Sequence, residues 1–122
     1  MSFLEGALRA HADGDLCAEA VAGLLIAGRW LDRDDFASRF ITVAASPCGG
    51  TQMAVADWPA AAAALGRSLP CSGGERRLLR VTVSLAAGIP VDLRDAIAGL
   101  DGRNAQLVAD TVLHASGHRE MR

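Results

Sequence analysis

At 122 residues the chain is sized for a single globular domain, 1–122, with one modest core. It is 51% apolar and 21% charged, which excludes a disordered chain. A formal net charge of −2 excludes attraction of the whole molecule to nucleic acid or anionic lipid and leaves only a local basic face open.

All 12 Lys/Arg positions are arginine, and tyrosine is absent, a usage that fits a genome rich in G and C. The N-terminus has no basic region followed by an apolar stretch, and the longest apolar run, Ala20–Ala27, is too short to span a bilayer. Cys17, Cys48 and Cys71 form an odd set without C-x-x-C spacing. These features predict a cytoplasmic protein with no membrane association, disulfide framework, structural metal or cofactor.

Residues 3–12 predict a short helix, broken by Asp13-Gly14-Asp15, which starts another. From Leu16 to Gly28 nearly every position is apolar or small, and Glu19 is the only charge. A helix apolar all round is either the centre of the fold or meets another subunit. Asp32 is the expected cap of a short helix over 33–39. Phe40 to Ala45 is rich in β-branched and aromatic residues and predicts a strand. A Ser46–Gly50 turn and a second strand over 51–56 complete an antiparallel hairpin, about 40–56. Asp57-Trp58-Pro59 opens an alanine helix that Gly66 ends.

The remaining third is heavily punctuated. Ser72 and Glu75 form a capping box for a helix over 75–87, which Gly88, Ile89 and Pro90 close. Asp92 caps a short helix ended by Gly99, and Asp101 caps a longer one ended by Gly117. The fold class is therefore α+β, predominantly α: about six short helices, one hairpin and a C-terminal three-helix unit.

Ser72-Gly73-Gly74-Glu75-Arg76-Arg77-Leu78-Leu79 resembles the signature motif of ABC-type ATPases. No G-x-x-x-x-G-K-[ST] loop accompanies it, and a chain without lysine cannot complete one. Helix capping explains the same residues. The acidic groups Asp13/Asp15, Asp32/Asp34/Asp35 and Asp92/Asp95 also lie at predicted helix starts, where capping accounts for them.

Three sets of residues carry some chemistry. Arg76, Arg77 and Arg80 fall on one face of the 75–87 helix and could pair with phosphates or carboxylates; a solvated surface is the plainer explanation. Residues 92–116 scan as a degenerate helix-turn-helix, whose outward stripe holds Arg103, Gln106 and Asp110. Asp110 and the polar first-helix residues Arg94 and Asp95 argue against that motif. Cys71 before a helix start and Cys48 in a glycine-rich turn are thiol candidates, with His11, His114 or His118 as conceivable neighbours. A metal would want ligands beyond these, and incidental cysteine is the plainer explanation.

From Leu69 to Gly117, the runs Leu69-Pro70-Cys71-Ser72-Gly73-Gly74, Gly88-Ile89-Pro90-Val91-Asp92-Leu93-Arg94-Asp95-Ala96 and Gly99-Leu100-Asp101-Gly102-Arg103-Asn104 are similar to small proteins of high-GC, actinobacterial-type bacteria. That resemblance implies no activity, cofactor or catalytic residue. The function expected first is a non-enzymatic interaction or regulatory role through protein contacts, with a protein partner or a second copy, since the apolar content exceeds one small core. DNA binding through Arg76, Arg77, Arg80, Arg103 and Gln106 is the alternative. A small-molecule enzyme with a Cys/His site comes third.

Overall fold

The computed structural model describes residues 3–45, 52–65 and 73–118. Among them the elements run α1 Phe3–Ala12, α2 Leu16–Ala27, a 3-10 turn Trp30–Asp32, α3 Asp34–Phe40, β1 Ile41–Ala45, β2 Gln52–Ala56, α4 Trp58–Ala64, α5 Gly73–Ala87, α6 Leu93–Ile97 and α7 Gly102–Ala115. The fold is α+β and predominantly α, as expected.

Local chemistry sets most of the boundaries. The carboxylates of Asp15, Asp57, Asp92 and Asp101 accept the amide N–H three residues on, at 3.1, 3.1, 3.2 and 2.8 Å, and so start α2, α4, α6 and α7. Gly99 (φ +86°) and Gly117 (φ +83°) take the left-handed conformation just beyond α6 and α7. Ser72 of the expected capping box, the Ser46–Gly50 turn and Gly66 lie outside the described residues.

One boundary differs from expectation. Asp32 does not cap α3: it ends the 3-10 turn, pairs with Arg29 at 3.2 Å, and Arg33 stands at the helix start. Arg33 is fixed there from three sides. It lies 4.8 Å from the centre of the Trp30 ring and binds Asp35 at 2.7 Å and Glu75 of α5 at 3.3 Å. Phe40, expected in the strand, closes α3 instead, because its ring completes a tilted stack of Trp30, Phe36 and Phe40 with centroids 5.3 Å apart at each step.

The all-apolar helix α2 is the centre of the fold. Ala20 to Leu25 are buried without interruption, so the core uses every side of it. α7 lies antiparallel along one face: Arg103 reaches the Ala27 carbonyl at one end, and His114 meets Glu19 at the other. Small residues, Ala20 and Gly23, lie buried between those ends and permit close approach of the two axes. α1 folds back on α2 and also covers β2.

β1 and β2 pair antiparallel from Ile41↔Ala56 to Ala45↔Gln52, with Ala54 fully buried against the helices. Two apolar clusters result. The larger joins α1, α2, the aromatic stack, Ala54, α4 and α5. The smaller joins Leu24 to Leu78, Val81, Ala96 and Val108, and so ties the C-terminal three-helix unit to α2.

Candidate interaction surface

Of the five residues expected to contact DNA, Arg80, Arg103 and Gln106 have hydrogen-bond partners within the chain. Arg80 donates to Asp95 of α6 at 2.8 Å. The Arg77 guanidinium lies against Gly99, where a β-carbon would meet its Nη1 at 3.3 Å. Arg76 is half-buried, with its Nε enclosed and without a hydrogen-bond partner. Arg103 donates to the Ala27 carbonyl at 3.3 Å and satisfies an orphan acceptor at the end of α2. Gln106 donates to Asp110, one turn on, at 2.9 Å. α5, α6 and α7 do form a helical unit, in which Arg80 ties α5 to α6 and Arg103 ties α7 to α2.

Sequence reasoning did not find the pair formed by Glu19 and His114, 95 positions apart. Nε2 of His114 lies 3.0 Å from Oε1 of Glu19, and Oε2 of Glu19 accepts the Gly14 N–H at 3.0 Å. The Gly14 N–H first, and then His114, hold the Glu19 carboxyl below its ordinary value. A lone charge in an apolar helix was the available signal; its partner depends on the antiparallel packing of α7.

The outward side of α7 is uncharged and mostly apolar. Ala105, Ala109, Val112 and Ser116 recur at i, i+4, i+7 and i+11 along its exposed face, flanked by Gln106 and Leu113. Val112 is 54% exposed. No charged side chain lies on this stripe, since Asp110 and His114 are half-buried on other faces. Leu93 and Ile97 of α6 are exposed too, but α6 is a five-residue helix whose sequence also carries Arg94 and Asp95.

A cleft opens between α1, α2, β2, Trp58 and Ala86, and its mouth holds His11, Asp15 and Cys17. Cys17 is the exposed free thiol among the described residues; Cys48 and Cys71 lie outside them. Among the described residues no three His, Cys, Asp or Glu side chains are grouped to hold a metal, and no helix is long and apolar enough to cross a membrane. The chain matches no family model, no curated protein and no solved structure.

Proposed function

We propose that the protein is a non-enzymatic cytoplasmic interaction protein whose contact surface is the outward face of α7, and that its first partner is a second copy of itself. One observation carries this reading: two turns of exposed helix present Ala105, Ala109 and Val112 in a row without a charge. An isologous contact needs only one self-complementary patch. With two α7 helices antiparallel, Ala105 of one faces Val112 of the other, small against large, and Ala109 lies near the two-fold axis.

The central helix argues less for a partner, because Ala20 to Leu25 are buried without interruption and its exposed apolar surface is confined to the first turn, at Leu16. The α7 face argues for one, because a charge-free stripe has no evident role in a solvated surface. DNA binding has less support, since Arg80, Arg103 and Gln106 already have partners in the chain. The three cysteines without C-x-x-C spacing fit a reducing compartment.

A single helix face buries less than the roughly 800 Å² per partner of a standard interface, so the association is weak and concentration-dependent. Sedimentation velocity from about 10 μM to about 1 mM tests it. The wild type is expected to shift from monomer toward dimer across that range, and Val112→Asp to weaken the shift at least about tenfold while leaving helicity unchanged. A wild type that stays monomeric throughout overturns the reading, as does a dimer indifferent to Val112→Asp.

A further inference from the structure

We propose that the cleft on the opposite flank of α2 from α7 is a binding site for a small organic amine with a single-ring or short alkyl body. The hollow is written into the sequence by small side chains. Ala12, Ala18, Ala22, Ala54, Ala56 and Ala86, from α1, α2, β2 and α5, all line it. Leu8, Val21 and Val55 complete its apolar wall. Where four elements converge, larger residues would have closed the gap; alanine leaves a cavity of about 310 Å³. That is the small end of the range for ligand sites, about 300–1,000 Å³.

Two features choose the ligand's chemistry. Half-buried Trp58 supplies an aromatic wall, the surface on which an organic cation gains attraction from the ring. Among the described residues Asp15 is the only carboxylate in the lining, and no arginine lines it. One Asp15 oxygen is engaged by the Ala18 N–H. Its negative charge nonetheless borders the cleft. An apolar body therefore enters among the alanines, with its ammonium end toward Asp15. An anion of the same shape is disfavoured. His11 and Cys17 at the rim offer further polar contact, and the site requires no reaction at either.

Trp58 fluorescence reads this directly, because Trp30 is only 2% exposed and sits in the core. The probes are benzylamine, benzyl alcohol and benzoate, titrated at pH 8 and low salt. Saturable change is expected with benzylamine, weaker binding with benzyl alcohol, and binding at least about tenfold weaker with benzoate. Trp58→Phe should abolish the signal. Ala18→Leu should fill the cleft and abolish binding without loss of helicity. Asp15→Asn keeps a competent helix cap and should erase the advantage of the amine over the alcohol. The proposal is overturned if none of the three probes saturates or benzoate binds tightest. It is equally overturned if the signal survives Trp58→Phe, if Ala18→Leu binds as the wild type does, or if Asp15→Asn leaves the amine's advantage intact. None of these outcomes depends on self-association through α7.

Discussion

Glu19 shows how one charge is accommodated in the most apolar helix of the chain. Its two oxygens are engaged by Gly14 and His114, and both contacts favour the carboxylate over the acid, which lowers its pKa from the ordinary 4.5. A depressed carboxyl contributes stability that is present above the unfolded-state value and is lost as pH falls through the lower folded-state value. The melting temperature of the wild type is therefore expected to fall more steeply below pH 4.5 than that of Glu19→Gln, which retains an acceptor for Gly14 and lacks the charge. Thermal melts from neutral pH downward measure this, and parallel curves would contradict it. At the same scale Gly28 is constrained by space, not by conformation. Its φ is −80°, but a β-carbon there would lie 3.0 Å from the Trp30 side chain and 3.1 Å from the Leu24 carbonyl oxygen.

Elements were legible in the sequence wherever the deciding interaction spans a few residues. Asp15, Asp57, Asp92 and Asp101 cap helices through amides three positions away, and Gly99 and Gly117 stop them by their own backbone conformation. Asp32 misled because the start of α3 is decided at long range, by Arg33 wedged between Trp30 and Glu75. Phe40 misled for a like reason, since its place in the aromatic stack outweighs its β propensity. The α2–α7 contact is also tertiary, although its precondition, a run of small residues in α2, is readable. Ala20 is fully buried in α2, and Ala20→Leu is expected to cost about 1–3 kcal/mol by overpacking. Urea unfolding measures that loss; a variant as stable as the wild type would show that α2 and α7 are not closely packed.

For the whole molecule, two apolar clusters meet on α2: one with α1, the hairpin, α4 and α5, the other with α5, α6 and α7. Within that arrangement two of the arginines join elements of the fold. Arg80 and Arg103 hold α6 and α7 in place, and their partners, Asp95 and the Ala27 carbonyl, are 15 and 76 positions away, beyond what spacing reveals. The arrangement also leaves the outward stripe of α7 uncharged and directed away from the core, which a heptad-like count shows only once the inward face is known.

The most direct measurement is the concentration dependence of the methyl resonances of Val112 and Leu113, with those of Leu93 as an internal reference. Leu93 is 60% exposed and Val112 54%, so exposure alone does not distinguish them. Self-association through α7 predicts that the Val112 and Leu113 methyls shift together as the protein is concentrated, while those of Leu93 stay fixed. Unmoved methyls on α7, or shifts confined to Leu93, would contradict it.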